Sequence, residues 1–197
     1  MKKILTFAFA AMAVFALQAA DAYFRVDVDG QKEQIVLTPE KDSDYNAQQF
    51  GWLKNPDAKQ YTLSVGFKKA LSTAEWEDCE FSFIPSKSGT VNISIGGQWA
   101  TKPENRAWLL VNKFEVNDKL YANGDFKKTW KQKNGRLIPQ GFWLNGKSKY
   151  LPTAGEHGTP AVLVNHDNRL GFSLKVEAGK KYELEFEVKA ATPELLK

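Results

Sequence analysis

This chain has little of what catalytic and metal-binding domains are commonly built from. A single cysteine, Cys79, rules out any intrachain disulfide. It alternates with Phe81 and Phe83, which reads as a small core-facing hydrophobe rather than a reactive thiol. The two histidines, His157 and His166, lack the paired spacing of a zinc helix. There is no G-x-S-x-G elbow and no phosphate-binding glycine loop. No segment keeps a helical period, so a helix bundle is excluded; residues 68–76 are the one place where a short helix is expected. Apart from residues 4–17 no long apolar run exists, and that run is too short and too poorly flanked for a membrane span.

Met1-Lys2-Lys3 followed by that run reads as a signal peptide over residues 1–22, with Ala20-Asp21-Ala22 as the A-x-A site and a cut after Ala19 as the alternative. Export to the periplasm or the extracellular space is therefore expected, with no membrane span once the signal is removed. Without Lys2, Lys3 and Asp21 the mature chain carries 25 basic against 22 acidic residues, so its basic excess is small. Lys127, Lys128, Lys131 and Lys133 form the densest basic run, which reads as a solvated face; no concentrated stripe points to nucleic acid.

What the sequence has in abundance is short alternating segments. In Tyr182-Glu183-Leu184-Glu185-Phe186-Glu187-Val188 the apolar residues fall on one face and the glutamates on the other. Phe24, Val26 and Val28 with Ile35-Val36-Leu37 predict an opening hairpin, and Tyr61 to Phe67 predicts the next strand. Cys79 to Ile84 and Val91 to Ile95, joined through Pro85 and Gly89, predict a second hairpin, and Trp108 to Val116 a long strand. Leu170 to Val176 and the final strand predict another hairpin about Gly179. The expectation is an all-β, two-sheet antiparallel β-sandwich of jelly-roll type over residues 23–190, with a loose tail at 191–197. Trp108, Phe172 and Tyr182 are expected in its core.

Four segments also carry a resemblance. Asn123-Gly124-Asp125-Phe126 with Trp130 is similar to the N-G-[DS]-F-E…W opening of many secreted carbohydrate-binding modules of galactose-binding-like fold. Val176-Glu177-Ala178-Gly179-Lys180-Lys181-Tyr182, running on to Ala190, resembles their closing V-x-x-G-K-x-Y segment. Phe83-Ile84-Pro85-Ser86-Lys87-Ser88-Gly89-Thr90-Val91, running on to Ile95, resembles their F-x-P-x-x-S-G-T-V hairpin, and Trp108-Leu109-Leu110-Val111-Asn112 resembles their later W-V-x-V-D strand. Lys127 and Asn112 stand where that pattern usually has acids. The resemblance implies sugar binding on a non-catalytic sandwich and transfers no particular binding residue.

The residues supply candidates of their own. Sugars present flat C–H faces to aromatic rings and hydroxyls to amides and charged groups. The long irregular section at 122–160 contains Trp130, Trp143 and Tyr150 together with Gln140, Asn145 and Lys149, and loops of that length are usually functional. Trp99 and Trp52, each following a strand end, are further candidates. The expected function is binding of a glycan or polysaccharide by exposed loop aromatics. A structural or adhesive domain that packs against another exported protein is the alternative, and a carbohydrate-active enzyme using Glu156 and Asp167 is a third. No cofactor is required. A structural calcium is left open, since Asp118, Asp125 and Asp167 occupy turns but make no EF-hand spacing.

Overall fold

The computed structural model describes residues 22–28, 31–36, 61–67, 70–83, 85 and 88–196. Trp52, the expected signal peptide but for Ala22, and residues 40–49 lie outside the described residues. The described strands are β1 (Ala22–Val28), β2 (Gln31–Val36), β3 (Tyr61–Phe67), β4 (Glu77–Phe83), β5 (Gly89–Ile95), β6 (Leu109–Val116), β7 (Thr129–Lys131), β8 (Leu137–Pro139), β9 (Trp143–Leu144), β10 (Lys149–Leu151), β11 (Ala161–Val164), β12 (Leu170–Val176) and β13 (Tyr182–Ala190). One sheet has the order β2-β1-β3-β5-β12-β9, the other β10-β11-β6-β13-β4, and β7 and β8 form a separate hairpin. The two sheets pack face to face as a β-sandwich. All described pairings are antiparallel except β3 with β5. Among the described residues there is no α-helix, and no helix is long and apolar enough to cross a membrane.

The core follows from the alternation. Leu63, Val65 and Phe67 of β3, Val91, Ile93 and Ile95 of β5, and Leu170, Phe172 and Leu174 of β12 face Cys79, Phe81 and Phe83 of β4 and Leu184, Phe186 and Val188 of β13. Phe114 of β6 stacks on Phe186, with centroids 5.2 Å apart, and meets Phe172 edge-on at 4.7 Å. Phe142 joins this group against Phe126 at 5.1 Å. Most of the described aromatic side chains are thus spent on packing, each fully buried one contributing roughly 1.5–3 kcal/mol of transfer free energy.

Two expected hairpins are corrected. β4 and β5 belong to different sheets, and so do β12 and β13. Each pair is an arch that crosses the core. The pattern could not distinguish these outcomes, because a strand buries the same alternate residues whether its successor pairs beside it or faces it. The two arches hold each other: Gly179 N–H donates to the Pro85 carbonyl at 2.9 Å and Ala178 N–H to Ser88 Oγ at 3.0 Å. The opening hairpin does form, with Phe24 opposite Ile35. Within the described residues 70–76 the chain only bends at 73–75, with Ser72 Oγ accepting from the N–H groups of Ala74 and Glu75, where a short helix was expected.

The Asn123-Gly124-Asp125-Phe126 segment is a packing device. Asn123 Oδ1 accepts from Lys128 N–H at 2.9 Å while its Nδ2 donates to the Lys128 carbonyl at 2.7 Å. A side chain at Gly124 would collide with the Phe114 carbonyl, so only glycine fits. The turn drives Phe126 fully into the core. After Ala190 the chain makes a 3-10 turn at Pro193–Leu196, and Leu195 packs with Trp108 and Trp76 on Leu110, Ala161 and Leu163. Trp108, expected inside the sandwich, instead helps cover the outer face of the second sheet.

Candidate functional site

The site forms at the end of the sandwich opposite the arches, where β12 begins and β5 ends, Leu170 pairing with Ile95. Its centre is Trp143. β9 is two residues long, so its side chains part: Leu144, opposite Leu170, enters the core, and Trp143, opposite Gly171, faces outward. The indole lies where any side chain at 171 would stand, with no room for a methyl group. It remains 38% exposed, a ring fixed from below and open above.

Turns join around it. Residues 145–148 and 165–169 interlock: Asn145 N–H donates to the Arg169 carbonyl at 3.1 Å, Arg169 N–H donates to Asn145 Oδ1, and Lys147 N–H donates to Asn168 Oδ1 at 2.6 Å. Arg169 runs along the sheet, with Nε donating to the His166 carbonyl at 2.8 Å and Nη1 to Ser94 Oγ at 3.4 Å. On the far side of the 165–169 turn, Gly97 abuts Asn165, and Trp99 two residues on is 55% exposed. Arg106 ties this loop down by donating to the Ala100 carbonyl and pairing with Asp167, whose other oxygen meets His166 Nδ1 at 2.9 Å.

The β7–β8 hairpin closes the other flank. Ile138 points into the core, while Trp130, opposite it on the outer strand, is 58% exposed. Arg136 fastens the hairpin to the 145–148 turn: Nη2 donates to the Ser148 carbonyl at 2.6 Å, to Ser148 Oγ at 2.9 Å and to the Asn145 carbonyl at 3.3 Å. Trp130 on β7, Trp143 on β9 and Trp99 after β5 are therefore carried by segments that hydrogen bonds between neighbouring turns join into one rim.

The sequence candidates separate accordingly. Trp130, Trp143 and Trp99 are exposed, and Lys149 is exposed on edge strand β10. Tyr150, opposite Val162, is half-buried and packs against the core, and burial raises its phenol above the ordinary value. Asn145 is exposed, but its side-chain oxygen is spent on Arg169 N–H. Gln140 donates to the Thr129 carbonyl at 3.4 Å. The rim arginines 106, 136 and 169 escaped the sequence reading. The one available signal was the outward position of Arg169, in step with Gly171 and Ser173.

The opposite face carries the acids. Beside a bulge at Lys113 (φ 43°) in β6 lies a cavity of about 110 Å3 whose charged lining is Asp78, Glu80, Glu115, Glu185 and Glu187 with Lys113. Burial raises the Glu185 carboxyl, and Glu80, Asp118 and Glu115 raise it further. Glu187 is raised by burial and by Glu156 and Asp78, against Lys113 and a 3.0 Å hydrogen bond from Asn112. Burial also raises the Asp125 carboxyl, but the hydrogen bonds and charge of Lys127 outweigh this and hold it low. Among the described residues no group of three or more His, Cys, Asp or Glu side chains could hold a metal ion. Compared with protein-family models, curated proteins and solved structures, the chain matches none.

Proposed function

We propose that the protein is an exported module that binds a glycan or polysaccharide at the Trp130–Trp143–Trp99 rim without transforming it. The observation that carries this reading is Trp143, a large apolar ring held open to solvent by a glycine beneath it. Such a platform suits the C–H face of a sugar, since it is rigid before the ligand arrives and loses little entropy on binding. Around it stand groups that could meet hydroxyls: the Arg169 guanidinium, the Asn145 amide nitrogen and Lys147. The leader-like start and the likeness to secreted carbohydrate-binding modules of jelly-roll type support the same reading from the sequence.

The direct test is retention of the mature protein on a panel of soluble and insoluble polysaccharides. At least one member should retain it, and Trp143→Ala should weaken that binding by about tenfold, the equivalent of about 1.4 kcal/mol. Failure to bind any member, or full affinity in Trp143→Ala, ends the proposal.

A further inference from the structure

We infer that the ligand is an acidic polysaccharide, one bearing carboxylate or sulfate groups along its chain. This rests on the glycan-binding reading and names its substrate class. Arg136 ties the β7–β8 hairpin, which carries Lys131 and Lys133, to the 145–148 turn, which carries Lys147 and is followed by Lys149. All four are exposed, and none makes an ion pair among the described residues. Arg136 itself donates to carbonyl and hydroxyl oxygens and to no carboxylate, so its charge is also uncompensated. By contrast Lys113 and Lys180 each lie within reach of a carboxylate, Glu115 at 3.5 Å and Glu177 at 3.8 Å.

The hairpin and turn that Arg136 joins therefore carry several cations next in the chain to Trp130, while Glu185 and Glu187 line an acid-rich cavity on the other sheet. A polyanion is attracted to one side and repelled from the other, which fixes where it docks. The exposed ring beside the lysines adds what a bare polyanion site lacks. A uronate or sulfated unit offers an apolar face to Trp130 and its charge to the neighbouring ammonium groups.

The probes are two matched pairs: polygalacturonate against its methyl ester, and dextran sulfate against dextran, with single-stranded DNA as a polyanion without sugar faces of this kind. At least one acidic member should bind about tenfold or more tightly than its neutral partner at low salt, and lose most of that margin as salt shortens the range of charge interactions. Replacing the four lysines by glutamine should abolish the margin while an unchanged circular dichroism spectrum shows the fold intact. Trp130→Ala should weaken the acidic member further. Equal binding of both members of each pair overturns the inference and leaves the glycan reading standing. DNA bound as tightly as the acidic polysaccharide, with no loss in Trp130→Ala, overturns it in favour of a nonspecific polyanion surface. No binding of these probes or of the wider panel removes both.

Discussion

Trp143 and Gly171 face each other across the β9–β12 pair, and the indole of one occupies the space that the other leaves empty. The platform exists because residue 171 has no side chain. Gly171→Ala should displace the ring at a cost of about 1–3 kcal/mol, as overpacking does elsewhere. Urea unfolding should show that loss, and tryptophan fluorescence of the folded protein should shift because Trp143 has moved. Unchanged stability and emission would contradict the packing described.

Arg136 links the hairpin to the 145–148 turn through the Ser148 and Asn145 oxygens. Hydrogen bonds to a charged donor are worth about 1.5–3 kcal/mol each when well formed, less where water competes. Arg136→Ala should therefore loosen the rim before the core. Amide hydrogen exchange should accelerate in residues 129–139 and stay slow in β6 and β13.

Phe114 lies at the centre of the core against Phe186, Phe172 and Phe142. Truncation to alanine should cost about 3–5 kcal/mol, the range for buried phenylalanines. Denaturant titration followed by circular dichroism measures it.

Glu187 carries a carboxyl raised above the ordinary value of 4.5, first by burial and then by Glu156 and Asp78. The folded state therefore binds this proton more tightly than the unfolded chain does. The contribution of this group to stability is full below the ordinary glutamate value and is lost as pH rises through the raised one. Glu187→Gln should be more stable than the natural protein at pH 7, with the difference shrinking to nothing in acid. Melting temperatures of both proteins across that interval are the check.

Cys79 is 2% exposed, and burial, reinforced by Asp78 and Glu80, pushes its thiol well above the ordinary range. Thiolate is the reactive form. An aromatic disulfide reagent should leave the folded protein untouched and react once denaturant unfolds it.

Much of the architecture was legible because a strand in a sandwich must alternate. Tyr182 to Val188 announced its buried face in the chain itself, as did Leu63 to Phe67 and Val91 to Ile95. Trp130 and Trp143 were picked out by their place in the irregular section, but whether each would stand open or plug the end of the sandwich was not legible there. Tyr150 and Asn145 sit in the same section and were expected to behave alike. One turned onto the core and the other was taken up by Arg169, outcomes set by partners about 12 and 24 residues away in the chain.

Alternating polarity along the chain by itself determined that this protein would be a sandwich of short strands, because burial of one face in two is a local property of extended backbone. Only tertiary structure decided that β4 and β5 would cross the core instead of pairing, and that a glycine from β12 would lie under Trp143. It also decided that Arg136 would tie the β7–β8 hairpin to the 145–148 turn. Such choices depend on which distant strands become neighbours, and a residue's immediate sequence carries no record of the partner that will stand beside it.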